Sequence, residues 1–321
     1  MLSGGLDVIT IGECLVEIMR YKKDVPHSVP GTYLGPYPSG APAIFADACA
    51  RLGLKSGIIG AVGKDDFGMM LLDRLRADGV DVSRVKVLDD HTTGVAFVTY
   101  FSSGSRQFIY HIKHAAAGQI FPGDVDPDYV KNSRLLHLMG SSLSINDNCR
   151  EACYKAVEIA ERHGRIITFD PNLRPELLDV SIIRKICTPV LEVAKAVLPS
   201  GIEAEALTGL RDPIEAGKKL LEYGPEIAVI KLGEKGSIAV TRDEVVKIPA
   251  IKVNEVDPTG AGDVYDAAFV LGLLNNWPLR KTLRFANAAG AIKVTRFGPM
   301  EGPLSREEVE ELLREHGEEL V

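Results

Sequence analysis

From Arg134 onward the chain alternates short unbroken apolar runs with amphipathic stretches: "RLLHLMG", "REACYKAVEIAERHG", "RIITFD", "AKAVLPS", "IEAGKKLLEYG", "EIAVIKLG". An apolar run without polar alternation suits a strand buried on both faces. The intervening helices supply the covering layers, because parallel neighbours need a crossover between them. The pattern predicts an α/β fold, a doubly wound and mostly parallel sheet with helices on both faces. The first half follows the same grammar. "DVITIGECLVEIMR" reads as strands, and "APAIFADACARLG" as a helix with Pro42 in its first turn and Gly53 at its stop. "KSGIIGAVG" reads as a buried strand and "DFGMMLLDRLRADG" as a helix with Gly79 after it.

Two regions break the rhythm. Residues 14–38 and 92–118 are rich in Thr, Tyr, Val, Ser and Gly, and alternate polar with apolar ("TTGVAFVTYFSSGSRQFIYHIK"). Alternation leaves one strand face outside a core. These segments are expected to form a small β lid over a pocket, within a single domain spanning 1–321. Lid strands with an uncovered edge can pair between copies, so a homodimer through the lid is expected.

The net charge of −7 argues against nucleic acid and against an anionic membrane surface. No apolar run is long enough to span a bilayer, and "MLSGGLDVITIGE" lacks the basic flank of a signal peptide. The cysteines at 14, 49, 149, 153 and 187 form an odd, scattered set without a CxxC. A cytoplasmic, disulfide-free protein is expected.

In open α/β sheets, ligands bind at the carboxyl ends of the strands, where loops lead into helices. "GIIGAVGKDD" lacks the spacing of a Walker A loop and its Ser or Thr. No GxGxxG follows the first strand, which removes the ordinary dinucleotide motif, and neither GxSxG nor HExxH occurs. His111 and His114 read as members of one strand with side chains on opposite faces, which speaks against a metal site.

"VDPTGAGDVYDAAFVLGLL", from Val256, passes this filter. "IPAIKVNEV" before it reads as a strand and "GDVYDAAFVLGLLNN" as a helix. Asp257 and Thr259 suit the turn and cap. Gly260 and Gly262 let the backbone approach a ligand with its N–H groups aimed outward, and the helix dipole adds to an anion site. Asp263 then lies in the first turn beside the anion. A carboxylate there is repulsive unless it takes a proton from a hydroxyl that attacks phosphorus.

Together with "SGAPAIFADACARLGLKSGIIGAVGKDDFG" (39–68), the "DPTGAGD" run resembles the paired signatures of the ribokinase (PfkB) family of carbohydrate kinases, over essentially the whole chain. The resemblance implies a ribokinase-like fold that uses ATP and Mg2+ on a small-molecule sugar. It implies Asp263 as catalytic base and the amides of Gly260, Ala261 and Gly262 as the anion hole. The adenosine site would come from "KLGEKG" (Lys231, Gly233, Gly236) and from Asn287, with Thr259 near the phosphates. Glu203 would meet magnesium through water, with Ser200 where the family usually has Asn. Asp257 would contribute to a monovalent-cation site.

On the sugar side the resemblance implies Gly40, Glu13, Tyr110, Lys113 and, from "DPNLR", Arg174. Ile44 stands where a sugar-contacting Asn is usual, which argues against ribose or adenosine. Pro258 stands where Thr is common. "GECLVEIM", "DPDYV" and "DPNLR" are similar to the 2-keto-3-deoxygluconate kinase and tagatose kinase branches, and "GPYPSGAPAIF", "MGSSLS" and "GPMEG" tilt toward the latter. "IYHIKH" supplies Tyr110 without the Arg usual in keto-acid kinases, leaving Lys113 or His111 as substitutes. The expected function is ATP-dependent phosphorylation of a keto-sugar or keto-sugar acid at a primary hydroxyl. Alternatives are a fructokinase, an inositol or 5-keto-2-deoxygluconate kinase and, more distantly, a non-catalytic nucleotide- or sugar-binding regulator.

Overall fold

The structure, a computed structural model, describes residues 5–103, 105–302 and 304–317. Gly104 of the expected lid lies outside the described residues, as do the ends of the expected 1–321 domain. The strands are β1 (Val8–Ile11), β2 (Leu15–Arg20), β3 (Tyr33–Ser39), β4 (Ser56–Gly63), β5 (Asp81–Leu88), β6 (Gly94–Tyr100) and β7 (Arg106–His111). They continue with β8 (Leu135–Met139), β9 (Ile166–Asp170), β10 (Ala196–Val197), β11 (Ile227–Lys231), β12 (Ser237–Val240) and β13 (Val245–Ile248). Nine of them form one sheet in the order β13-β12-β11-β10-β9-β8-β1-β4-β5, parallel except where β12 meets β11 and β13. The α/β expectation holds.

Why the strands had to be apolar throughout is visible in their packing. Along β1, Val8 enters one core and Ile9 and Ile11 the other; on β11, Val229 faces the first and Ala228 and Ile230 the second. Each residue is buried, whichever face it takes. The helices that matter for the site are α1 (Ala41–Arg51), α2 (Asp66–Ala77), α3 (Pro127–Lys131), α4 (Gly140–Ile145), α5 (Asp147–Arg162) and α6 (Val180–Leu191). After them come α7 (Gly201–Thr208), α8 (Pro213–Leu221), α9 (Ala261–Leu274), α10 (Leu279–Val294) and α11 (Arg306–Glu315). Helix α9 packs between α1 and α10, which accounts for its near-continuous apolar sequence.

The two half-polar regions form a separate four-stranded sheet, β3-β2-β6-β7, in which β2 and β6 are parallel and the outer pairs antiparallel. Three readings need correction. Strand β7 ends at His111, so His114 lies in the following turn rather than on a shared strand. "IPAIKVNEV" is not a strand: β13 stops at Ile248 and an irregular segment runs to α9. That segment must travel from the edge of the sheet to its middle, a path no ladder partner could follow. "AKAVLPS" keeps only Ala196–Val197 as strand. No helix among the described residues is long and apolar enough to cross a membrane.

Candidate active site

Parallel strands end on the same side, and the chain loads that edge with polar groups. Glu13 follows β1, Ser142 follows β8, Asp170 closes β9, Ser200 follows β10 and Lys231 closes β11. All but Ser200 and Lys231 are buried by whole-residue exposure, and even the Lys231 side chain is only 12% exposed.

Above this edge sits the N-terminus of α9. Gly260 has φ +80°, and a Cβ added there would lie 2.6 Å from the Pro299 carbonyl oxygen, so an L side chain is strained and obstructed at once. At Gly262 the protein itself sets no such limit, since its nearest atom to an added Cβ is Lys231 Nζ at 3.6 Å. What the missing side chain leaves there is open space beside the backbone, as an approaching ligand requires. Asp263, in the first turn, is 7% exposed. Burial, reinforced by Asp170, pushes its carboxyl up to about 7, against the pull of Lys231, Arg174 and Arg106. Such a group is suited to exchange protons near neutral pH.

Beneath α9, Lys231 Nζ donates to Asp170 Oδ2 at 3.0 Å and to both Asp266 oxygens at 2.9 and 3.0 Å. Burial drives both carboxylates up. Lys231 outweighs it at Asp170, which stays below the usual range, while Asp266 remains well above it. The ammonium of Lys231 is thus committed to a buried ionic triad under the anion-facing turn. The remaining residues expected around adenosine do come together. Gly233 lies in the β11–β12 turn, and Gly236, with φ +92°, backs directly onto the Ile248 carbonyl. Asn287 Nδ2 donates to the carbonyls of Ile248 and Pro249 at 3.3 and 3.2 Å.

Glu203 and Ser200 form a capping box on α7, the Ser200 N–H donating to Glu203 Oε2 at 2.7 Å. Glu203 Oε1 accepts from the Leu173 N–H at 2.8 Å, tying α7 to the "DPNLR" segment. Beside it, Asn172 Oδ1 is buried and has no hydrogen-bond partner among the described residues. A buried orphan oxygen next to carboxylates is a set of hard donors that fits a hydrated Mg2+.

Asp257 fits its expected role less well. Its Oδ1 accepts from the Thr259 N–H at 3.0 Å, the Thr259 hydroxyl at 2.7 Å and the Tyr100 hydroxyl at 3.2 Å; Oδ2 accepts from the Gly298 N–H at 2.8 Å. Its carbonyl accepts from Lys293 Nζ at 3.4 Å. A cation already sits there, supplied by the chain, so the residues present do not fit a diffusible monovalent cation at Asp257.

On the lid side, Tyr110 on β7 stacks on Phe108 with ring centroids 5.2 Å apart, and burial pushes its hydroxyl up to about 12. Burial opposes the charge of Arg174, but Tyr110, Glu203, Asp263 and Glu13 outweigh it and raise its pKa. Arg174 Nη1 donates to the Leu173 carbonyl at 3.0 Å. Glu13 Oε2 accepts from the Ser142 hydroxyl at 2.7 Å. Gly40, φ +107°, has a reason internal to the protein: an added Cβ would sit 2.3 Å from the Glu13 carbonyl oxygen. Lys113 and His111 are exposed at the end of the lid strand. Ile44 is buried in α1, against the Gly260 turn.

Sequence reasoning missed Asp170, Asp266, Asn172, Glu17 and Arg106. Glu17, on β2, is buried; burial pushes it up to about 7, with the Ser39 hydroxyl and Arg106 and Arg174 pulling it down. Asp266 carried a usable signal, a second acid one turn after Asp263 inside an apolar helix. Arg106 carried none, being one polar residue in an alternating strand.

The α9 N-terminus opens on left-handed Gly260, its Ala261 N–H donating to the Pro258 carbonyl at 3.2 Å; backed by a buried carboxylate with a raised pKa at the edge of a doubly wound sheet, it is the equipment of a group-transfer enzyme. Residues 6–306 match the model of the pfkB family carbohydrate kinases, and the chain belongs to that family. It is an ATP:sugar phosphotransferase. A 2-dehydro-3-deoxygluconokinase of Thermoproteus tenax is 33% identical over 313 residues, covering 96% of this chain and 94% of its own. A fructokinase of Solanum tuberosum is 32% identical over 306 residues, covering 92% of each. An E. coli protein solved under the provisional name Ribokinase II, in complex with ATP and Mg2+, is 42% identical with a TM-score of 0.89, covering 97% of this chain and 100% of its own.

Proposed function

We propose that the chain transfers the γ-phosphoryl group of ATP to a primary hydroxyl of a sugar acid, such as 2-keto-3-deoxygluconate or 5-keto-2-deoxygluconate. The observation that carries this reading is the pair of guanidinium groups, Arg174 from the sheet edge and Arg106 from the lid. The positive charges of both lower the pKa of Asp263 and of Glu17, against burial. Two arginines whose charge is felt at the reacting carboxylate suit a substrate with its own negative charge.

ATP lies with its adenosine against the Gly233–Gly236 turn and Asn287, and its phosphates reach the amides of Gly260, Ala261 and Gly262. Those amides and the dipole of α9 hold the charge that spreads over the transferring group. Glu203 and Asn172 would hold magnesium through water, a reading supported by the ATP and Mg2+ complex of the E. coli relative. Bound there, magnesium neutralises phosphate charge. Asp263 takes the proton from the attacking hydroxyl and returns it to solvent after transfer. Glu13 and Tyr110 offer hydrogen bonds to the sugar. The four-stranded sheet closes as a lid and excludes water from the reacting atoms.

A second reading, a neutral ketohexose such as tagatose or fructose, is favoured by Glu13 and Glu17, two buried acids that would accept hydroxyl hydrogen bonds. ADP release measured with both acids, tagatose and fructose separates the two. Under the sugar-acid reading, Arg174→Ala and Arg106→Ala each raise KM for the acids by about tenfold or more, the worth of a charge-assisted hydrogen bond, and leave fructose unchanged. A higher kcat/KM for fructose than for both acids would sink it.

A further inference from the structure

Lys293 is a cation in an unusual place. It lies in the last turn of α10, is 4% exposed, and interrupts the apolar run "ANAAGAIKV". Its ammonium meets two backbone carbonyls: Nζ donates to the Asp257 carbonyl at 3.4 Å and to the Arg296 carbonyl at 3.3 Å. These belong to two facing loops. The segment around Asp257 leads into the anion-hole turn, and the segment around Arg296 leads to Pro299, whose carbonyl supports Gly260. The loops are sewn together by Val256 N–H and Asp257 N–H, both donating to the Val294 carbonyl at 2.7 and 3.1 Å, and by Gly298 N–H on Asp257 Oδ2.

Carbonyl oxygens turned toward a common point create a negative well that a buried loop pair must fill. Burial opposes the charge of Lys293 and lowers its pKa from the ordinary value, against the pull of Asp257, Glu17, Asp263 and Glu301. The Asp257 carbonyl that Lys293 holds lies three residues before Gly260, the residue that opens α9.

The geometry points to Lys293 as a tethered cation that replaces a diffusible one: its ammonium holds the carbonyls of Asp257 and Arg296, fixes the turn that carries the Gly260–Gly262 amides, and makes the enzyme independent of monovalent cations. Lys293 is a positioning residue, acting through the loop and not on substrate. The inference rests on the phosphate-facing role proposed for those amides.

The test compares wild type and Lys293→Met in potassium, ammonium and tetramethylammonium chloride at equal ionic strength. Wild-type kcat is expected to be the same in all three, and Tl+ titrated calorimetrically into wild type is expected to give no binding heat. In tetramethylammonium, Lys293→Met loses about 10- to 100-fold in kcat, the scale of a misplaced catalytic loop, with little change in sugar KM. Potassium or ammonium then enters the vacated carbonyl cage, restoring kcat and raising the Tm of the variant but not of wild type. Potassium activation of wild type, or Tl+ binding to it, overturns the inference. So does a folded Lys293→Met whose kcat and Tm no monovalent cation moves, since that outcome leaves Lys293 as a brace only. The Tl+ and Tm readouts need no sugar, so they stand apart from any failure of the substrate assignment.

Discussion

Asp263→Asn tests the catalytic assignment through two observables that move in opposite directions. Burial and Asp170 lift the carboxyl from its ordinary 3.8 to about 7 in the folded chain. At ~1.4 kcal/mol per pKa unit, this amounts to ~4 kcal/mol. The sign follows from where each state ionises. Between about pH 4 and about pH 7 the unfolded chain has lost the proton that the native chain keeps. Stability therefore falls with rising pH across that window and stays low above it. Asparagine never ionises, so the variant escapes the loss. Its Tm should match wild type near pH 4, gain steadily to pH 7 and level off there, roughly 6 °C higher for a chain of this length. Activity runs the other way. The variant should lose about 100- to 10,000-fold in kcat, and wild-type kcat/KM should rise tenfold per pH unit up to about pH 7 and then flatten. Calorimetric scans at several pH values and initial rates from coupled ADP release measure both. A variant no more stable than wild type at pH 8, or a flat wild-type rate profile between pH 5 and pH 8, would refute the account of a buried, strained base.

The triad below α9 makes a linked prediction. Lys231→Met removes a cation that pulls Asp263 down, so the midpoint of the pH–rate profile should move up; Asp170→Asn removes a repulsive charge and should move it down. Lys231→Met also leaves Asp170 and Asp266 buried with no cation, and should cost ~3–5 kcal/mol by urea unfolding. At Gly260, a Cβ would approach the Pro299 carbonyl at 2.6 Å in a left-handed conformation. Gly260→Ala should therefore lower stability by ~1–3 kcal/mol and reduce kcat more than KM for either substrate, as steady-state rates and thermal melts would show.

The parts of this molecule legible in its sequence are those whose physics is local or periodic. Buried parallel strands must be apolar on both faces, so β1, β4, β8, β9 and β11 announced the fold. The α9 turn was readable because paired glycines beside acids have few other uses. The rest depends on distant segments meeting. Lys231 is expected at the nucleotide from its place in a glycine-rich loop, and only the meeting of β9, β11 and α9 in the folded chain shows Asp170 and Asp266 at its ammonium. Asp257 looked like a cation ligand until α10, more than thirty residues further on, placed Lys293 on its carbonyl. In both cases a residue type was read correctly as charged and its partner was invisible. A charge in an apolar run has to be compensated somewhere, and sequence reports the need without the address. Asp266 in α9 and Lys293 in α10 are such charges, each set in a helix packed against the other. One pairs with Lys231 from β11, the other donates to the carbonyls of Asp257 and Arg296, so each charge finds its compensation only where distant segments meet beside the α9 turn.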